Sequence, residues 1–376
     1  MRNSDIIGQE ETLRQLTTMV DQGRLPHALM LFGPAGSGKL AIALALARYL
    51  LCLHPHDGEL CQECPACRMT AQWAHPDLHF SFPLFKQKNN DQPLSDDRLT
   101  EWRDQISRTP YFTPNDWLAD LQGENQQLQF YVSESDALQH KLSLKPSQGG
   151  YRVVIIWLPE KIPPPTANKL LKLIEEPPSR THFIMVSQEP EQVLGTILSR
   201  TQRMRVPALS EEVITQALVE RHGLPQEEAQ NIAHIAQGSY TRALSLVQAT
   251  ADQHEFFDLF VQLMRICYMR KIKDMRQWAD DVASMGRERQ KHMLEYCQRL
   301  IRENFIHNFR NPQLNYMTAE EQGFAQNFAR FINERNVIPL TEELATCQTE
   351  IEQNGNAKMI FFDLTLKVVL LLKRQR

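Results

Sequence analysis

The chain has 376 residues, and because single cores seldom grow past roughly 250 residues, two or three domains are expected. A hydrophobic content of 42% and a net charge of −4 describe an ordinary globular protein; they exclude a disordered chain and a globally basic surface, leaving only a local basic patch open. No basic-then-apolar leader pattern is present at the start, and the apolar stretch Val368 to Leu372 is far too short to span a bilayer, so a cytoplasmic protein is expected.

Ile7, Leu13, Leu16, Met19 and Val20 recur at helical spacing and predict a helix over residues 4–23, ended by Gly23. Ala28 to Phe32 is an uninterrupted apolar run of strand length. It leads into Gly33-Pro34-Ala35-Gly36-Ser37-Gly38-Lys39, followed by an Ala- and Leu-rich helical stretch, Ala41 to Leu51. Strand, glycine-rich loop and helix in that order form a phosphate-binding loop. Gly33, Gly36, Ser37 and Gly38 would direct backbone N–H groups at phosphate oxygens, and Lys39 would neutralise the outer phosphates. Leu40 stands where a magnesium-binding Ser or Thr would follow, so nucleotide binding and nucleotide hydrolysis become separate questions.

Cys52, Cys61, Cys64 and Cys67 make a C-x8-C-x2-C-x2-C cluster, while the other three cysteines are scattered. In a reducing compartment such a cluster reads as a metal site, and four thiolates suit tetrahedral structural zinc. An iron–sulfur cluster and metal-free thiols are the other readings of the same spacing.

Residues 75–148 are polar and uneven, with Pro83, Pro93, Pro110 and Pro114, and read as an insertion with one or two helices and an amphipathic segment from Asp136 to Leu144. Tyr151 to Trp157 is β-branched and apolar, the pattern of a buried central strand. An ATPase of this type ends that strand in acids that hold magnesium and activate water; Leu158 and Pro159 fill those positions, and Glu160 falls one residue late. Glu175-Glu176-Pro177-Pro178 closes the next helix. Phe183 to Val186 is another strand, with Ser187 at its end available to a phosphate or a partner. Arg200, in Ser199-Arg200-Thr201, reads on its own as a surface ion-pair residue. From Ser210 the signals are helical, punctuated by Gly223 and Gly238.

The ordered set of Ile7-Gly8-Gln9, the phosphate loop, the four-cysteine insert, the segment from Ala167-Asn168 to Glu176-Pro177-Pro178, and Leu198-Ser199-Arg200 resembles bacterial clamp-loader subunits of the AAA+ type over roughly residues 5–250. The resemblance implies an α/β phosphate-loop AAA+ domain with a parallel sheet over residues 1–206, carrying a zinc-binding insert at 52–67. A small helical lid over 207–250 and an all-helical collar over 251–376 complete the expected architecture. It implies that Arg200 acts in trans as an arginine finger on a neighbouring subunit's ATP, and that Cys52, Cys61, Cys64 and Cys67 hold the zinc. The sensor arginine expected in Gly238-Ser239-Tyr240-Thr241 is Thr241, with Arg242 next. The implied partners are the other subunits of a hetero-pentameric ring, the sliding clamp and primed DNA, with no membrane. The implied cofactors are structural zinc and ATP or ADP held without hydrolysis, the occupancy of the loop staying open. An ATPase or nucleotide-dependent remodeller using Glu160 or an acid in the insertion, and a free-standing zinc-dependent nucleic-acid-binding module, are the alternatives.

Overall fold

The computed structural model describes residues 6–86, 92–123, 126–147, 150–309, 317–353 and 355–373. The chain divides into two compact units, Met1–Leu246 and Val247–Arg376.

The first unit is built on five parallel strands: β1 (Ala28–Phe32), β2 (Leu78–Ser81), β3 (Arg152–Trp157), β4 (Thr181–Ser187) and β5 (Gln202–Arg205), ordered β2-β3-β4-β1-β5. Every residue of β3 is buried, as expected of a central strand covered on both faces. Strands β1 and β4 pair in a register that sets Phe32 beside Ser187, so the phosphate loop leaves the sheet directly next to the end of β4.

Helix α1 (Glu10–Asp21) precedes β1, and helix α2 (Lys39–Leu51) follows the loop. All of α2 is buried, which explains why its sequence is apolar on every side rather than on one stripe. Beyond the short α3 (Pro65–Ala71) and β2, the chain forms α4 (Leu99–Arg108), α5 (Pro114–Asp120) and α6 (Val132–Ser143) before entering β3. Helix α7 (Pro164–Glu175) lies between β3 and β4, and the single turn α8 (Gly195–Leu198) lies between β4 and β5. Leu138, Leu170, Ile174 and Ile197 from these helices pack with Met30, Ile156, Phe183 and Met185 of the sheet. The unit ends in α9 (Glu211–His222), α10 (Gln226–Ala236) and the opening turns of α11 (Tyr240–Met269).

The second unit continues with α12 (Ile272–Ala283), α13 (Arg287–His307), α14 (Ala319–Phe328), α15 (Val337–Glu352) and α16 (Ala357–Leu372). Phe260, Trp278, Leu294, Leu344, Phe361 and Val368 share its core. No helix among the described residues is long and apolar enough to cross a membrane.

Two strands went unread in the sequence and two helix starts are corrected. The polar region 75–148 contains strand β2, unread in the sequence, besides the two helices α4 and α5 and the amphipathic α6. The edge strand β5 went unread because it is four residues long, polar and largely exposed. The amphipathic segment starts at Val132 rather than Asp136. Helix α1 starts at Glu10 because Gly8 adopts a left-handed φ of +60° just before it, while Ser4 lies outside the described residues.

Candidate functional site

The phosphate loop runs from the end of β1 to the start of α2, and its glycines sit where side chains do not fit. A Cβ on Gly33, at φ +148°, would stand 2.2 Å from the Val206 carbonyl oxygen. One on Gly36, at φ +74°, would stand 2.3 Å from Ser239 Oγ and 2.6 Å from Thr241 Oγ1. Lys39 folds back into the loop. Its ammonium donates to the carbonyl oxygens of Gly33 (2.7 Å) and Pro34 and lies 3.4 Å from Ser37 Oγ. Burial pulls this lysine down to about 8, partly opposed by the Glu160 carboxylate. Ser37 is fully buried, and its carbonyl accepts from Gln9 Nε2 at 3.0 Å; the same amide nitrogen donates to the Pro207 carbonyl at 2.9 Å.

At the end of β3, Leu158 is buried at a left-handed φ of +60°, and Pro159 opens a 3-10 turn. No carboxylate is presented from either position. Glu160 turns toward the exit of β4, where its Oε1 accepts the N–H groups of Gln188 (2.9 Å) and Glu189 (3.3 Å). Glu160 Oε2 and Ser187 Oγ are buried without a hydrogen-bond partner among the described residues. Thr241 Oγ1 pairs with Ser239 Oγ at 3.2 Å, whereas Arg242 is exposed, with Nη1 3.5 Å from Gln237 Oε1.

Arg200 follows α8, away from the lining of this cradle. Its Nε donates to Glu175 at the end of α7, and its Nη1 donates to the Thr196 carbonyl at 2.8 Å and lies 3.3 Å from Ser199 Oγ. The side chain keeps 31% of its surface open, so the guanidinium is positioned yet accessible.

The four clustered cysteines converge. Cys52 caps the C-terminus of α2, Cys61 comes from the following loop, Cys64 caps the N-terminus of α3, and Cys67 lies in its first turn. Sulfur separations are 3.5 Å for Cys52 with Cys61, 3.5 Å for Cys52 with Cys67 and 3.8 Å for Cys61 with Cys67, and all four sulfurs lie within 4.8 Å of one another. A tetrahedral thiolate site with metal–sulfur bonds of about 2.3 Å requires sulfurs about 3.8 Å apart, so the group fits one ion. The N–H groups of Cys64 and Glu63 pull the Cys61 thiol down to about 6, while burial pushes Cys52 and Cys67 up.

A family model described as DNA polymerase III, delta subunit, matches residues 8–210. The chain belongs to this family. The delta' subunit of DNA polymerase III from Pseudomonas aeruginosa is 29% identical over 57% of this chain, and that from Bacillus subtilis is 27% identical over 58%; each alignment covers 53% of the relative. The tau/gamma subunit of DNA polymerase III from Haemophilus influenzae is 27% identical over 65% of this chain and 30% of its own length. The chain thus spans about half the length of the delta' relatives, 53% in both cases.

Within this member of the delta-subunit family, the structure brings the loop glycines, Ser37 and Lys39 together and gathers the four cysteines into one group. Arg200 is held apart from both. Three contributors to the loop's surroundings were not read from the sequence as site residues. Gln9 ties the loop to Pro207. Tyr111 lies over Gly38, with ring atoms 3.3 Å from where a Cβ would stand. Trp157 joins Phe82, Trp102, Phe112 and Trp117 in an aromatic cluster with centroid separations of 4.3–5.7 Å. The concentration of Trp, Phe and Tyr in an otherwise polar insertion was the available clue. The cradle is narrow as it is folded. The space bounded by Gly36, Lys39, Tyr111, Trp157 and Thr241 is about 30 Å³, against roughly 300–1,000 Å³ for pockets that take small-molecule ligands.

Proposed function

We propose that this chain is a non-hydrolysing subunit of a bacterial clamp loader, supplying Arg200 to the ATP site of a neighbouring subunit while its own site stays catalytically silent. The observation that carries this reading is an asymmetry. Leu40, Leu158, Pro159 and Thr241 replace the hydroxyl, the two acids and the arginine that hydrolysis would need, whereas Arg200 remains accessible and oriented by Glu175 and the Thr196 carbonyl. A guanidinium in this role meets the transferring phosphate as a fixed planar charge with several donors, which the point charge of lysine does not reproduce. The partners in this reading are the other loader subunits of a hetero-pentameric ring, the sliding clamp and primed DNA. Residues 1–206 form the AAA+ domain, 207–250 its lid and 251–376 the collar.

The four cysteines hold a structural zinc in this reading. Four thiolates close the coordination shell, so the ion supplies no catalysis and instead ties the end of α2 to α3. The ATPase alternative that uses Glu160 loses ground because that carboxylate accepts the N–H groups of Gln188 and Glu189.

The test is the DNA-stimulated ATPase of a loader reconstituted with this chain and its partner subunits. Arginine fingers contribute about 10³- to 10⁵-fold to turnover. Arg200→Ala is therefore expected to silence the one site it serves, with Arg200→Lys giving little rescue and ring assembly by gel filtration unchanged. Unaltered turnover in a fully assembled Arg200→Ala ring would refute the role.

A further inference from the structure

We infer that the phosphate cradle is filled from within, with the Tyr111 side chain acting as its resident ligand and clasping the helical segment 207–246 to the loop without nucleotide. Three segments meet at this residue. Its hydroxyl accepts the Ile7 N–H at 2.8 Å, its ring lies over Gly38, and the ring makes an edge contact with Tyr240 at 5.1 Å and 77°. Gly38 is the N-cap of α2, where a bound phosphate would accept N–H groups, and the Tyr111 ring packs against this residue.

The remaining features of the cradle agree. Lys39, the group expected to meet outer phosphates, spends its donors on the carbonyls of Gly33 and Pro34. The Tyr240 N–H donates to the Gly36 carbonyl at 3.1 Å, and the Ser239 and Thr241 hydroxyls occupy the space beside Gly36, so the start of α11 is already seated on the loop. The Tyr240 hydroxyl lies 3.1 Å from His222 Nε2, which links α11 to the end of α9. Tyr111 is itself anchored, because the adjacent Phe112 packs on Trp102 and Trp157 at centroid separations of 5.7 and 5.1 Å. The closure that a bound nucleoside triphosphate would bring about is thus made by the insertion. This inference does not depend on Arg200: nucleotide held without hydrolysis would overturn it and leave the arginine role intact.

The experiment uses the full-length zinc-loaded protein and two readouts, titration with fluorescent mant-ATP and mant-ADP in the presence of magnesium, and amide hydrogen exchange. Wild-type protein is expected to give no saturable nucleotide signal. Tyr111→Ala is expected to exchange at least ten-fold faster at residues 36–39 and 238–243, since both segments lose the ring packed against them. Saturable binding by the wild type overturns the inference, as does unchanged exchange in both segments of Tyr111→Ala. Should that variant fail to fold, Tyr111→Phe keeps the ring and removes only the acceptor for Ile7. Faster exchange at Ile7 with 238–243 still protected supports the clasp, and an Ile7 amide as protected as in the wild type overturns it.

Discussion

Trp102 gives the sharpest test of whether the insertion is part of the core or an appended loop. The side chain is fully buried and stacks on Phe82 at 4.3 Å, with Trp117, Trp157 and Phe112 at 5.3–5.7 Å. Truncating a buried Trp to Ala costs about 3–5 kcal/mol, and the loss of several ring contacts places this site in the upper half of that range. The conservative replacement behaves differently. The Trp102 indole N–H has no acceptor among the described residues, and an unpaired buried donor costs about 1–3 kcal/mol. Trp102→Phe removes that donor and opens a void costing on the order of 1 kcal/mol. The Phe variant should therefore lie within about 1 kcal/mol of the wild type, while the Ala variant loses about 4 kcal/mol. Because the chain has two units, the assay is urea unfolding followed through exchange of the β3 amides, which report the first unit. A Phe variant as damaged as the Ala variant, or an Ala variant losing under about 1 kcal/mol, would refute the reasoning.

Two further expectations follow from the same unit. Purified protein should contain one zinc per chain, and Cys64→Ser should lower that content and destabilise the first unit by a few kcal/mol, since the binding energy of a structural ion is folding energy; elemental analysis finding no metal in the wild type would end the zinc reading. Burial foremost, with the nearby Lys141 charge, pulls the His79 imidazole on β2 from 6.5 down to about 4, against Asp77 and Asp96. The unfolded chain therefore binds the extra proton between pH 6.5 and pH 4, and about 3 kcal/mol of stability present at neutral pH is lost as pH falls through that window. His79→Gln should flatten this part of the stability profile, and parallel wild-type and variant profiles would contradict it.

What could be read from the sequence was local. The phosphate loop announced itself because glycine spacing, the preceding apolar strand and the following helix are contiguous. The cysteines did so because three of them fall within seven residues. Strands β3 and β4 were legible because a buried parallel strand must be apolar throughout. Strand β2 was not, because Leu78-His79-Phe80-Ser81 is short and sits among prolines, and its strand character comes from pairing with β3. Tyr111 was unreadable for a stronger reason. Its partners Ile7, Gly38 and Tyr240 lie 73 to 129 residues away, a juxtaposition that only the sheet topology produces.

The loop sequence is also explained by packing. Each of its diagnostic residues has a packing role in this chain that requires no phosphate. Gly33 allows the Val206 carbonyl to approach, Gly36 admits the Ser239 and Thr241 hydroxyls, Gly38 makes room for the Tyr111 ring, and Lys39 holds the loop's own carbonyls. A side chain at Gly33 would meet backbone at 2.2 Å, a clash that no rotamer change relieves, so substitution there disrupts folding whether or not nucleotide ever binds. The residues that depart from the nucleotide-hydrolysing pattern also suit the fold. Leu40 is buried within the wholly buried helix α2, and Leu158 and Pro159 are buried at the end of β3, where an unpaired carboxylate would be costly. In this chain the glycines and Lys39 are fixed by packing, while Leu40, Leu158 and Pro159 place apolar groups where the fold buries them.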